Sequence, residues 1–116
     1  MKINLKYNHI NKYEKFFETD TFIKLDTEIK GLASLYFKAL ELSKSKESIS
    51  RHLNLVNLVR NAYSNLNQEE RKLINNEFFY QKYPNWWKDS YSLYNFRRLK
   101  YKSMTHFLEV FYDNAI

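Results

Sequence analysis

Glycine and proline are nearly absent from this chain: Gly31 and Pro84 are the only examples among 116 residues. Turns that require a positive φ angle are therefore almost unavailable, and tight β-hairpins would be hard to build. We predict an all-α protein. The length suits one domain with one modest core, since domains commonly hold about 100 to 150 residues.

Apolar side chains recur every three or four residues along much of the chain, as they do on the buried side of a helix. The spacing predicts a long helix from Thr21 to Ser43, capped by Asp20 or Thr21, and a second helix from about Ser50 to Ser64. Gly31 costs the first helix about 1 kcal/mol relative to alanine, so we expect a bend or a close helix crossing there. The predicted core residues are Phe22, Leu25, Ile29, Leu32, Ala33, Tyr36, Phe37 and Leu40 in the first helix, and Leu53, Val56, Val59, Ala62, Tyr63 and Leu66 in or just after the second.

The first twenty residues carry two overlapping patterns. One alternates as in a strand (Ile3, Leu5 and Tyr7), and the other has helical spacing (Ile10, Tyr13, Phe16 and Phe17). We expect a loose lead followed by a short helix. The polar run from Ser43 to Ser48 is the best internal boundary, and it divides the chain into an N-terminal helical segment, residues 1–48, and a second unit, residues 49–116. We expect the two to pack together as one compact unit.

The helix that follows Leu66 begins with a recognisable signal. Asn67 and Glu70 have the types and spacing of a capping box in front of the apolar stripe that starts at Leu73. Pro84 suits the first turn of a short helix that carries Trp86 and Trp87, because the amide that proline lacks would be unpaired there. Residues 89–91 would form the next turn, and we expect one tryptophan to pack beneath the last helix.

The last helix has two contrasting faces. Ser92 is a good N-cap for a helix that starts at Leu93. The face predicted to be buried contains Phe96, Leu99, Ser103, Phe107 and Val110, with Met104 and Phe111 on its flank. The opposite face contains Tyr94, Asn95, Arg98, Tyr101, Lys102 and Thr105, and at its margins Arg97 and Lys100 can pack a long stem while the charge reaches solvent.

This polar side of the helix is unusual because it has no acidic partners of its own. No Asp or Glu occurs from Ser90 to Leu108, while four cations lie between Arg97 and Lys102. A helix face stabilised for its own sake usually places Glu one turn before Lys or Arg, so this face favours an external anion. The alternative is an ordinary solvated helix face. The formal net charge of +6 is weaker support, since abundant Lys, Asn, Ile, Tyr and Phe also follow from a low-GC genome.

The order of a helix from Asn67, a short tryptophan-bearing helix, a turn and a basic helix is that of a helix-turn-helix. The segments Leu66 to Ile74, Trp86-Trp87 and above all Ser92 to Met104 resemble sigma-70 region 4 domains and the ArpU-type phage late transcription regulators. Ser92, Phe96, Arg98, Lys100, Lys102, Ser103 and Met104 meet the family pattern. Asn95 stands where the pattern has Thr, Arg97 replaces its second aromatic residue, and Asp89-Ser-Tyr replaces its glycine-isoleucine-serine turn. The resemblance covers about Leu53 to Tyr112.

The resemblance implies a DNA-binding transcription regulator with a sigma region 4-like helix-turn-helix. Its partner would be double-stranded DNA, and as a sigma-like factor it would also contact RNA polymerase. The residues expected to bind DNA are Tyr94, Asn95, Arg97, Arg98, Lys100, Tyr101 and Lys102. The alternative hypothesis is a non-enzymatic helical adaptor or assembly protein that binds another protein, with the basic helix as ordinary surface.

Other chemistry finds little support in the sequence. The chain has no cysteine, so disulfides, thiolate zinc sites and a cysteine nucleophile are excluded, and a reducing cytoplasm is the expected setting. His9, His52 and His106 lack the spacing of metal ligands, and no glycine-rich loop is available to hold a phosphate. No stretch approaches the roughly 18 apolar residues of a membrane span. We therefore expect a soluble protein that is not an enzyme and has no cofactor or metal, and its oligomeric state stays open.

Overall fold

A computed structural model describes residues 20–44 and 50–115, and this part of the chain forms four helices without a strand. Helix α1 is Asp20–Ser43, α2 is Ser50–Ser64 and α4 is Leu93–Ala115. Helix α3 is Gln68–Ile74 and continues into a π-helical turn at Asn75–Phe79. The all-α prediction is confirmed. The loose lead and short helix expected before Asp20 lie outside the described residues.

Side-chain caps set the N-terminal ends of α3 and α4, as the sequence predicts. The Asn67 side chain accepts a hydrogen bond from the Glu70 amide (2.8 Å), and the Glu70 carboxylate accepts one from the Asn67 amide (3.0 Å). The Ser92 hydroxyl oxygen accepts a hydrogen bond from the Asn95 amide (3.1 Å) in the first turn of α4. These bonds satisfy amides that a helix N-terminus leaves without an internal partner, which fixes where α3 and α4 begin.

The core lies where all four helices meet. Its buried apolar residues are Ile29, Ala33, Tyr36 and Ala39 of α1, Val56, Val59 and Ala62 of α2, Leu66, Leu73, Ile74 and Phe78 around α3, and Phe96, Leu99, Met104, Phe107, Leu108 and Phe111 of α4. The core face predicted for α4 is thus confirmed, with Val110 half-buried at its edge.

The expected burial of Leu53 in α2 is wrong, and so is one of the two alternatives expected at Gly31 in α1, a close helix crossing. Leu53 is 48% exposed. At about 100° per residue it lies about 120° around the helix from Val59, the middle residue of the buried stripe formed by Val56, Val59 and Ala62. Gly31 is exposed, and no atom of another described element lies within 4 Å of the place where a Cβ would stand. The close helix crossing expected at Gly31 is therefore not present in the described structure.

The connection between the π turn and α4, residues 80–92, also differs from the prediction. Residues 84–90 form successive turns instead of a short helix. Amides at Trp86, Lys88 and Ser90 donate hydrogen bonds to carbonyls three residues earlier, and the hydrogen bond from the Tyr91 amide to the Trp87 carbonyl, four residues earlier, does not continue into a helix.

Aromatic packing holds this segment in place. The Trp87 ring stacks on Phe96 of α4 with centroids 4.3 Å apart, and the Trp86 ring meets Phe96 edge-on at 6.0 Å. The prediction that a tryptophan packs beneath the last helix is confirmed.

Candidate nucleic-acid interface

The outward side of α4 presents three of the seven residues expected to bind DNA. Asn95, Arg98 and Lys102 are exposed and lie three or four residues apart, so they form one continuous surface. We call these three residues the basic face. Neither Arg98 nor Lys102 forms an ion pair with another residue in the described ranges. Both charges are therefore presented to solvent.

Three further candidates are less accessible. Tyr94, Arg97 and Tyr101 are half-buried, and each already interacts with another group of the protein. Burial raises the pKa of the Tyr101 phenol, and a hydrogen bond with the Thr105 side chain partly opposes that rise. The phenol thus stays protonated at neutral pH and keeps its capacity to donate a hydrogen bond. These three side chains flank the basic face.

Lys100 does not belong to the exposed surface. Its Nζ atom lies 3.0 Å from Asp26 Oδ1 of α1 and 3.0 Å from Glu77 Oε1 of the π turn, and its side chain is only 15% exposed. The expectation that its charge reaches solvent is wrong, because two carboxylates that are distant in sequence meet it inside the fold. Asp26 also pairs with Lys30 at 2.7 Å, and Glu77 Oε2 accepts a hydrogen bond from Trp86 Nε1 at 3.0 Å. We call these five residues the Lys100 cluster.

The electrostatics of the Lys100 cluster favour the ionised carboxylate. Burial would raise the pKa of Asp26, but hydrogen bonds from Lys30 and Lys100, together with their charges, outweigh burial and lower that pKa below its usual value. The ammonium of Lys100 also lies over the Phe78 ring, 5.3 Å from its centroid. The cluster joins α1, the π turn, the residue 80–92 connection and α4, so it fixes the rotation of α4 about its axis and thereby the direction of the basic face.

The sequence contained a signal for this cluster. Asp26 occupies a position on α1 one turn before the buried Ile29, and Glu77 follows Leu73 and Ile74 at helical spacing. A carboxylate within an apolar stripe needs a buried cation, since an unpaired buried charge is very costly. That requirement predicts a lysine or arginine partner, although only the fold shows that the partner is Lys100.

The connection before α4 departs from a simple helix-turn-helix. The two helices of that motif are commonly joined by a turn of about three or four residues, whereas residues 80–92 separate the π turn from α4 here. Helix α3 and α4 nevertheless pack directly against each other. The connection is anchored at its C-terminal end, where the Tyr91 hydroxyl donates to Glu69 at 2.5 Å and this bond raises the pKa of Tyr91 to about 12.

Comparison with known proteins adds no relative. No family model, curated protein or solved structure matches the chain. The resemblance to sigma-70 region 4 and ArpU-type regulators therefore stays a prediction from the sequence. Within residues 20–44 and 50–115, no three His, Asp or Glu side chains converge as a metal site requires. No helix in the same ranges has both the length and the apolar character needed to cross a bilayer.

Proposed function

We propose that this protein binds double-stranded DNA through the basic face of α4 and acts as a transcription regulator. The observation that carries the proposal is the pair Arg98 and Lys102, exposed one helical turn apart without an ion pair to another described residue. Phosphates supply most of the affinity in such complexes, and basic side chains neutralise them.

The chemistry of the basic face suits a major groove. Arginine can donate two hydrogen bonds to guanine, and asparagine can bind an adenine edge in the same bidentate way. Recognition helices usually contact bases through their N-terminal residues, and Asn95 and Arg98 lie in the first two turns of α4. Lys102 lies one turn further along, where a phosphate contact is expected.

Lys100 is not part of this interface. Its ammonium group is already paired with the carboxylates of Asp26 and Glu77. Its role in the proposal is to hold α4 in the orientation that exposes Arg98 and Lys102. The long connection at residues 80–92 means that docking on DNA would differ in angle from a helix-turn-helix with a short turn.

The test is a DNA-binding assay with variants matched in charge. Arg98→Ala/Lys102→Ala should weaken binding to duplex DNA by about tenfold or more, since each lost contact is a charge-assisted hydrogen bond. Lys24→Ala/Lys38→Ala removes the same charge from exposed positions of α1 and should change binding much less. Circular dichroism should show that both variants are folded. Equal losses in the two variants would mean that only net charge matters and would remove the assignment to α4.

The sigma-like form of the proposal adds RNA polymerase as a second partner. A pull-down from the native cell, carried out with and without nuclease treatment, separates the two forms. Recovery of polymerase subunits after nuclease treatment would favour the sigma-like factor, and recovery of DNA alone would favour a plain regulator.

The second candidate function is an adaptor that binds another protein. It is favoured by Leu35 and Leu42, which are 53% and 42% exposed and lie two turns apart on α1. Exposed leucines at this spacing can pack against a partner helix. This function predicts that the protein has no salt-dependent affinity for DNA and that Leu35→Ser/Leu42→Ser abolishes capture of its protein partner.

A further inference from the structure

A cavity of about 360 Å³ opens between α1, α2 and the π turn. Its wall contains four aromatic side chains and two polar ones: Tyr36, Tyr63, Phe79, Tyr80, Arg60 and Asn75. Small-molecule sites typically have volumes of about 300 to 1,000 Å³ and combine apolar walls with a few polar groups. No residue of the basic face lines the cavity, so it is separate from the proposed DNA interface.

The aromatic wall is held in place by its own packing. Phe79 meets Tyr36 edge-on with ring centroids 5.6 Å apart and meets Phe37 at 6.0 Å. The centroid of the Phe79 ring also lies 6.3 Å from that of Phe107, which is fully buried in α4. Phe37 in turn meets Tyr80 edge-on at 5.8 Å. Because Tyr36, Phe37 and Phe79 support one another, this part of the cavity wall is already in place before a ligand binds.

The polar side of the cavity is positively charged. Arg60 Nε donates to the Tyr36 hydroxyl at 3.4 Å, and this bond leaves the terminal N–H groups of the guanidinium available. None of the described residues that line the cavity is Asp or Glu, and Arg60 makes no ion pair with a described carboxylate. A guanidinium in this setting is suited to bind a carboxylate or a phosphate through two parallel hydrogen bonds.

The backbone provides an independent indication of a binding site. The π turn Asn75–Phe79 is closed by a hydrogen bond from the Tyr80 amide to the Asn75 carbonyl at 2.7 Å. Such turns are rare, and they occur frequently at functional sites. Here Asn75, Phe79 and Tyr80, which are the two ends of the turn and its cap, all line the cavity. The irregular turn is therefore what brings an amide and two aromatic rings into one wall.

We propose that this cavity binds a small molecule with a flat aromatic ring and one anionic group. The ring packs among Tyr63, Phe79 and Tyr80, where stacked or edge-on aromatic contacts add to the burial of apolar area. The anionic group binds the Arg60 guanidinium, and the Asn75 amide offers a further hydrogen bond. A carboxylate and a phosphate both meet this description.

Isothermal titration calorimetry on the full chain tests the proposal with two probes, indole-3-acetate for a carboxylate and adenosine monophosphate for a phosphate. At least one probe should bind about tenfold or more tightly than its neutral counterpart, indole or adenosine, because the anion adds a charge-assisted hydrogen bond. Binding of indole-3-acetate alone identifies a carboxylate site, and binding of the nucleotide alone identifies a phosphate site. Binding of both supports a shared anion site.

Variants and amide shifts then locate the bound probe. Arg60→Gln should weaken binding by about tenfold or more, whereas Arg51→Gln, on the same helix but outside the cavity wall, should not. Amide chemical shifts should change at Asn75, Phe79 and Tyr80, which gives a readout in the wild-type chain that does not depend on the folding of a variant. Arg98→Ala/Lys102→Ala should bind the probe as tightly as wild type, so this test does not depend on the DNA proposal.

Any of the following results would overturn the proposal. The first is no heat and no shift change with either probe at roughly millimolar concentration, where weak small-ligand affinities lie. The second is that neither anion binds more tightly than its neutral counterpart. The third is unchanged binding by a folded Arg60→Gln variant, or shift changes confined to α4.

Discussion

Replacement of Lys100 by methionine separates the structural cation of α4 from the exposed ones. In the wild-type protein, Lys100 Nζ lies 3.0 Å from both Asp26 and Glu77, and the three side chains are 15%, 17% and 16% exposed. Methionine keeps most of the apolar stem but removes the charge. Two carboxylates would then face each other in a largely dry site with one cation, Lys30, on the Asp26 side.

The expected cost follows from this geometry. Removal of one partner from a buried ion pair typically costs about 3 to 5 kcal/mol, because the remaining charge is left uncompensated. That loss is a large share of the roughly 5 to 15 kcal/mol that stabilises a small domain. The melting temperature of Lys100→Met should therefore fall by at least about 10 °C. Lys102→Met, two residues further on but exposed, should change the free energy of unfolding by less than about 0.5 kcal/mol.

Thermal and urea unfolding followed by circular dichroism measures both variants. A third variant, Asp26→Asn/Glu77→Gln/Lys100→Met, tests the cause, because it leaves no unpaired buried charge in the site. Lys30 loses its Asp26 partner in this variant, but its side chain is 60% exposed to solvent. The amide oxygen that replaces the Glu77 carboxylate can still accept the hydrogen bond from Trp86. The triple variant should be more stable than Lys100→Met alone. The reasoning is refuted if Lys100→Met is as stable as Lys102→Met, or if the triple variant is no more stable than the single one.

Three further predictions concern the fold. Phe107→Ala should lower the free energy of unfolding by about 3 to 5 kcal/mol, because this ring is fully buried at the centre of the core; an unchanged melting temperature would contradict the packing of α4. Gly31→Ala should raise stability by about 0.5 to 1 kcal/mol, since the site is exposed, helical and open; urea unfolding that shows a loss would contradict this. The pKa of Asp26 is lower in the folded protein than its usual value, so its ion pairs stabilise the fold fully above about pH 4, and this stabilisation is lost as the pH falls through the folded-state pKa. The difference in free energy of unfolding between wild type and Asp26→Asn should therefore shrink from about pH 7 to about pH 2. A difference that stays constant over this range would contradict the assignment.

Much of the fold could be predicted because its signals are local. The ends of α2 and the start of α4 agree with the sequence analysis, and the capping box at Asn67 is formed as predicted. Caps act within one turn, and apolar periodicity specifies which side of a helix is buried. Neither signal depends on how the helices are arranged in space, so both can be recognised in the sequence.

The features that could not be predicted depend on contacts between distant residues. Asp26 and Glu77 meet Lys100 only after α1, the π turn and α4 have packed together. The segment around Trp86 and Trp87 has helical signals, yet both rings pack on Phe96, and the segment forms turns. The π turn itself has no signal in the spacing of apolar residues, and the cavity that it helps to form was therefore not predicted either.

The candidate DNA-binding residues show the same division. Spacing along one helix correctly placed Asn95, Arg98 and Lys102 on an exposed face. The same spacing placed Lys100 at the margin of that face, and it could not distinguish a lysine that reaches solvent from one that meets carboxylates of other elements. Acidic residues inside apolar stripes indicate that some lysine or arginine must be buried with them, but only the fold shows that this residue is Lys100.

The salt dependence of DNA affinity tests the central proposal most directly. If Arg98 and Lys102 neutralise phosphates, the logarithm of the association constant should fall linearly with the logarithm of salt concentration, by about 0.9 per neutralised phosphate. Between about 50 and 200 mM salt, the slope of Arg98→Ala/Lys102→Ala should be shallower than that of wild type by about 2, and Lys24→Ala/Lys38→Ala should run parallel to wild type. Equal slopes for wild type and a folded Arg98→Ala/Lys102→Ala variant would contradict the proposal that α4 is the DNA-binding element.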